Sequence, residues 1–287
     1  MRLDAATVLL QWATGGLLFL WVTTRRREVG LGYGWLLRGV YFVMAVAAAV
    51  IPAGDTGGAG ATLRTAGAIV TAVAAAGALA MSIALRGGGV SGQRARRAAR
   101  AERVDAMTGR ARTNAPRNDV AGREFPPALD LIAPVAGIVG LLGAAAAVGG
   151  PYALSATRLV VGALFLGAVT DAMLLGHWYL VQPGLSRAPI RDLIRVAAVV
   201  WPFEVAAFLW PVGMGQVLDG TVDDGFNGLL GWTWLVCSIT TIALLGVTWL
   251  ALRERSYSAV MAATGLLYLA ILMAFGTDLI ARATLVP

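Results

Sequence analysis

Asp171, His177 and Glu204 are the residues of this 287-residue sequence best placed by type and spacing to do chemistry. "TDAMLLGHWYLVQPG", residues 170–184, carries the sole histidine, an aspartate six positions before it and a Trp–Tyr pair beside it. "VVWPFEVAAFLWPVG", residues 199–213, sets Glu204 between two Trp–Pro steps. Both stretches are otherwise apolar. An ionisable side chain at the centre of a bilayer costs from about 2.5 kcal/mol upward, so it turns to the bundle interior and marks a candidate site.

The spacing predicts where these groups sit. Asp171 lies eleven residues before the end of its apolar run at Gln182, or roughly 16 Å. Glu204 lies eleven residues into the next run, counted from Leu193. A short turn joins the two, so both carboxyl groups are expected near the midplane on neighbouring helices, as a proton relay. His177 falls about 9 Å nearer the turn and about 120° around the helix from Asp171. The two are then successive stations rather than one dyad. Pro202 and Pro211 each lack a backbone donor and are expected to kink the Glu204 helix, opening space between helices.

Trp178, Tyr179 and Gln182 fall near the same interface as His177. Arg38 and Arg195 fall at a similar depth, and Trp201 stands one turn from Glu204. Apolar walls, aromatic rings and hydrogen-bonding groups are what a quinone head needs. A quinone is the cofactor this pattern points to, with Asp171 and Glu204 exchanging its protons. Haem is disfavoured. One histidine excludes bis-histidine ligation, and Met173 shares a helix face with His177. One cysteine, Cys237, leaves no multi-cysteine metal site, and no metal is expected. Each polar residue also has a plainer reading. Buried polar contacts between membrane helices average about 0.6 kcal/mol and need imply no chemistry, and Trp178 and Tyr179 suit an aromatic belt.

The elements that must position these groups are membrane helices. The chain is 58% hydrophobic and 14% charged, against about 25% charged in soluble domains. A span needs roughly 20 apolar residues. Eight runs qualify, at 5–24, 31–53, 66–85, 128–148, 158–182, 193–213, 228–251 and 257–280, giving an all-α polytopic protein. The organisation expected is spans 1–3 over residues 1–85, a basic loop over 86–127 and spans 4–8 over 128–287. The first run is expected to span rather than to be a cleaved leader, because its basic cluster "RRRE" follows the apolar run.

All 23 basic residues are arginine, and nineteen of them fall on one side if the N-terminus is outside. The positive-inside rule then sets both termini outside a prokaryotic cytoplasmic (inner) membrane. The net charge of +7 lies in the loops, which argues against a nucleic-acid partner. The loop 86–127 reads as a linker that brushes anionic lipid, or as a docking segment for partner subunits. Asp219, Asp223 and Asp224 in "MGQVLDGTVDDGFN" lack EF-hand spacing. Asp278 and Arg282, four residues apart, read as an interfacial ion pair.

"LLFLWVTTRRREVGLGYGWLLR" (17–38) lies over "LLGHWYLVQPGLSRAPIRDLIR" (174–195) at an offset of 157, matching Trp21 to Trp178 and Arg38 to Arg195. This fits a parallel 4+4 repeat. Three functions compete: a membrane subunit of a respiratory or other redox complex with a quinone cleft or proton route, a small-molecule or lipid transporter, and a structural anchor. The first carries no redox centre of its own, so its enzyme role rests on partner subunits.

Overall fold

The computed structural model describes residues 4–52, 58–95, 98–99, 102, 123–148, 150–182, 184–211, 213–254 and 256–285. Most of the basic loop lies outside the described residues. Among the described residues the fold is helical, with no strand. The principal helices are α1 (Ala5–Thr24), α2 (Leu31–Val50), α3 (Ala59–Ala84), α4 (Ile132–Val148), α5 (Tyr152–Val181), α6 (Ala188–Leu209), the short α7 (Met214–Leu218), α8 (Leu229–Ala251) and α9 (Tyr257–Thr284). A 3-10 turn over Pro127–Leu131 leads into α4.

Seven helices are long and apolar enough to cross a membrane: α1, α2, α3, α4 with its leading turn, α5, α8 and α9. The eighth long helix, α6, is 22 residues but carries Arg191, Asp192, Arg195 and Glu204. The outer surface agrees with the apolar helices. Val43, Val73, Phe203 and Leu272 are each 62–66% exposed, whereas Gln11, Asp171, Thr241 and Asp278 are fully buried. Large contiguous apolar surfaces are rare on soluble monomers.

Several helix limits differ from those read from sequence, each for a local reason. Helix α3 begins at Ala59 rather than 66, taking in Arg64, whose Nη1 donates to Asp4 Oδ2 at 2.7 Å. Helix α5 begins at Tyr152 rather than 158, and takes in Arg158, whose Nε donates to the Ala207 carbonyl at 2.8 Å. A buried arginine that finds an acceptor no longer interrupts a span. Helix α6 ends at Leu209, and Trp210 is extended (φ −131°, ψ 149°). Proline disfavours the helical region for the residue before it. Pro211 therefore terminates α6 rather than kinking it, and only Pro202 lies inside the helix.

Neighbour relations fall into two sets. Helix α1 packs on α2, α2 on α3, α3 on α4 and α4 back on α1. Likewise α5 packs on α6, α6 on α8, α8 on α9 and α9 back on α5. The sets join mainly where α1 meets α5. Glycine permits that approach: a Cβ on Gly15 would lie 1.8 Å from the Ala163 carbonyl oxygen, and one on Gly167 would lie 2.3 Å from the Gly15 carbonyl carbon. Small residues bring membrane helices into backbone contact in this way.

Candidate functional site

Asp171 sits on the α5 face turned toward α2. It is fully buried, and its Oδ1 accepts a hydrogen bond from the Tyr41 hydroxyl. Its Oδ2 has no hydrogen-bond partner in the protein. Tyr33, two helical turns before Tyr41 on α2, is also fully buried, and the side-chain hydroxyl set against its own is that of Thr23. Asp171 is near enough to act electrostatically on both hydroxyls, and Tyr179 acts on Tyr33. Tyr41 to Tyr33 and Asp171 to Tyr179 are each steps of eight residues on antiparallel helices. The four side chains thus form two rungs, roughly 12 Å apart along the helix axes.

The lower rung runs into the turn regions. The Tyr179 hydroxyl donates to the Ser186 carbonyl in the α5–α6 turn. The Tyr33 ring lies against Trp178, with centroids 5.9 Å apart. Gln182 Oε1 accepts from Trp178 Nε1 and from the Gly30 amide, both at 3.0 Å. Trp178, Tyr179 and Gln182 therefore gather at one place, around the start of α2.

Glu204 has different company. It is buried on α6, and neither carboxyl oxygen has a hydrogen-bond partner. The charged groups acting on it are Asp278 and Arg282 of α9. Those two form a buried ion pair, Arg282 Nε to Asp278 Oδ2 at 2.7 Å. Gln11 of α1 completes the pair, donating Nε2 to Asp278 Oδ1 at 3.2 Å and accepting from Arg282 Nη2. The pair read as interfacial is a buried link between α1 and α9. Trp201 Nε1 of α6 donates to the carbonyl of Ser238 on α8 at 3.0 Å, setting the Glu204 turn of α6 beside Ser238. Ser238 Oγ and Trp234 Nε1 are further buried atoms without partners.

Arg38 holds neither of these acids. It makes a two-pronged ion pair with Asp130, Nε to Oδ1 and Nη2 to Oδ2, each 2.7 Å. Phe125 covers the guanidinium, with its ring centroid 4.5 Å away. Beside the pair opens a cleft of about 40 Å³, lined by Arg38, Gly30, Gly34, Ser82, Glu124 and Phe125 among others. That volume holds a few waters. Glu124 accepts from both Arg27 and Arg94 there, tying the residues after α3 and before α4 to the α1–α2 turn.

The other residues singled out from sequence stand apart. His177 is exposed on the surface of α5. Arg195 is exposed on α6 and lies over Trp249, 5.2 Å from the ring centroid. Among the described residues no group of three His, Cys, Asp or Glu side chains is set to hold a metal.

Tyr33, Tyr41, Gln11 and Asp130 are the site residues that sequence reading passed over. The tyrosines had a signal: Tyr33, Leu37, Tyr41 and Ala45 recur at four-residue spacing and are all buried, so two hydroxyls lie on one inward face. Gln11 and Asp130 had none, because their partners lie 267 and 92 residues away.

No protein-family model matches this chain, and neither a curated protein nor a solved structure does.

Proposed function

We propose that this chain is a membrane subunit of a respiratory or other redox complex, and that it carries protons through Asp171 and Glu204. One observation carries the reading: Asp171 Oδ2, Glu204 Oε1 and Glu204 Oε2 are buried without hydrogen-bond partners. An ionised carboxylate left unpaired in low-dielectric surroundings is among the most costly arrangements a protein can hold. Intramembrane acids of this kind mark proton relays in pumps and transporters. Around Glu204 the count of charges says the same. Two acids share one guanidinium, so a proton or another single positive charge completes the cluster.

In this reading α6 joins the seven apolar helices as an eighth span. The arginine distribution sets both termini outside a prokaryotic inner membrane, and the inner end of the bundle carries the α1–α2 and α5–α6 turns. The quinone belongs on Trp178, Tyr179 and Gln182, beside the small Arg38 cleft, with electrons supplied by partner subunits docked through the 86–127 loop. Membrane lipid covers the apolar faces.

A transporter is the second reading, and the helix arrangement favours it. Each set of four principal helices closes on itself with the same neighbour order. The α1 end and the α2 start precede the α5 end and the α6 start by 157 residues in both cases. Parallel repeats related by an axis along the membrane normal are one of the transporter plans.

The deciding experiment is gentle extraction of the intact assembly followed by reconstitution. Proton-coupled quinone turnover that Asp171→Asn and Glu204→Gln abolish supports the proton subunit. Full turnover in both variants removes the acids from the route, and solute flux by the chain alone would favour the transporter.

A further inference from the structure

We propose that the cleft beside Arg38 is a phosphate site, filled by the phosphodiester of a phospholipid from the leaflet on that side of the bundle. The inference does not depend on the proton reading, because neither Asp171 nor Glu204 takes part. Several donors converge on the cleft. Asp130 takes Nε and Nη2 of Arg38, and among the described residues Nη1 has no acceptor. Nη1 lies against Gly34, 2.7 Å from where a Cβ would stand, and Gly34 lines the cleft. Arg38 is only 2% exposed, so the cleft is where its remaining N–H groups are met. Ser82, fully buried in the cleft wall, accepts from Trp35 Nε1 at 3.1 Å, and its own proton has no acceptor among the described residues. Helix α2 starts here as well. Gly30 caps it without a side chain, and Gly30 and Leu31 both line the space. The free first-turn amides and positive end of a helix favour an anion.

Charge and size narrow the ligand. Arg27, Arg38 and Arg94 are paired with only two carboxylates, those of Glu124 and Asp130. One negative charge balances this cluster, and a phosphodiester carries one. The cleft of about 40 Å³ has room for a few waters, or for one small oxyanion in their place. It is too small for a quinone ring. The neighbouring surface argues for a lipid as the source. Leu36 and Val40 of α2, and Met81 and Ile83 on either side of Ser82, are 41–49% exposed. Acyl chains cover such a face while the phosphate turns in to the arginines, whose planar fork suits its oxygens.

The test uses the full-length chain in detergent. Native mass spectrometry counts the lipids retained when phosphatidylglycerol is added, or a neutral galactolipid of equal acyl length that has no phosphate. The parent is expected to hold one phosphatidylglycerol in preference to the galactolipid. Arg27→Gln removes the surplus charge and leaves Glu124 paired with Arg94. Arg38→Met with Asp130→Leu removes Nη1 without stranding a charge. Each is expected to weaken retention about tenfold or more, as loss of a hydrogen bond to a charged group does. Arg253→Gln, at an exposed arginine in the α8–α9 turn, is expected to bind like the parent. Equal retention of the two lipids, or parent-like affinity in both cleft variants, overturns the site. So does an equal loss in Arg253→Gln, which would mean diffuse attraction to anionic lipid. Inorganic phosphate alone is the remaining arm. If it raises the melting temperature of the parent and not of the cleft variants, while no lipid is retained, the phospholipid is overturned as occupant in favour of a free anion. None of these outcomes bears on proton movement, which Asp171→Asn and Glu204→Gln test separately.

Discussion

Arg38 and Asp130 hold α2 to the start of α4 through two parallel hydrogen bonds of 2.7 Å, with their side chains 3% and 1% exposed. The planar fork of arginine matches a carboxylate edge to edge, which lysine could not do. Removing one partner strands the other charge. Asp130→Ala is therefore expected to cost about 3–5 kcal/mol, read as a loss of stability of the detergent-solubilised protein. Replacing both residues by apolar ones of similar size, as Arg38→Met with Asp130→Leu, should recover most of that loss. An Asp130→Ala protein as stable as its parent would mean that water reaches Arg38 and the pair is screened.

The junction between the two helix sets makes a steric prediction. Gly15 and Gly167 meet backbone to backbone, so an added methyl group encounters atoms that cannot rotate away. Gly15→Ala or Gly167→Ala should cost about 1–3 kcal/mol or more through overpacking. Gly39 is the control, since a Cβ there meets nothing within 4 Å. Gly39→Ala should be neutral or stabilising by up to about 1 kcal/mol, because alanine is the better helix former. Equal unfolding of the Gly15 and Gly39 variants would show that α1 and α5 are not held in this contact.

Asp224 predicts a pH effect outside the membrane segments. Its carboxylate accepts backbone amides of Phe226 and Gly228 on Oδ1 and of Leu230 on Oδ2, fastening the loop to the first turn of α8. Partial desolvation pushes its pKa up, but four backbone amides, those of Phe226, Gly228, Leu230 and Gly231, outweigh it and hold the group below the ordinary aspartate value. With the folded pKa depressed, the stabilisation is complete above the unfolded value of about 3.9. It is lost as pH falls through the lower folded value. The melting temperature should drop over that acid window in the parent protein, and the drop should be smaller in Asp224→Asn. Identical acid profiles for the two would show that the cap does not hold in solution.

How much was legible from sequence depended on range. Apolar runs and helix stops are local, so α1, α8 and most of α2 and α9 could be read from residue types and spacing. The early starts of α3 and α5 could not, because Arg64 and Arg158 look like boundaries until Asp4 and the Ala207 carbonyl are seen beside them. Likewise Asp171 and Glu204 were conspicuous as acids in apolar surroundings. What they face was not conspicuous. The partner of Asp171 is 130 residues away on α2, and the charges around Glu204 come from the last helix. A helical period fixes the side of its own helix, whereas which neighbouring helix covers that side is a property of the assembled bundle.

Glu204 and Arg282 separate a paired from an unpaired buried charge. Arg282 is bound by Asp278 and Gln11, while Glu204 has no hydrogen bond and only the electrostatic influence of that pair. Arg282→Gln leaves Asp278 without its cation beside a second acid, and should cost about 3–5 kcal/mol. Glu204→Gln removes the surplus acid and breaks no bond. It should leave the protein as stable as its parent or more so, even where it stops proton movement. The measurement is a pair of unfolding curves in one detergent, taken near neutral pH. A Glu204→Gln protein destabilised as severely as Arg282→Gln would mean that the Glu204 charge is itself bound to Arg282. The acid would then be a packing element and not a proton carrier.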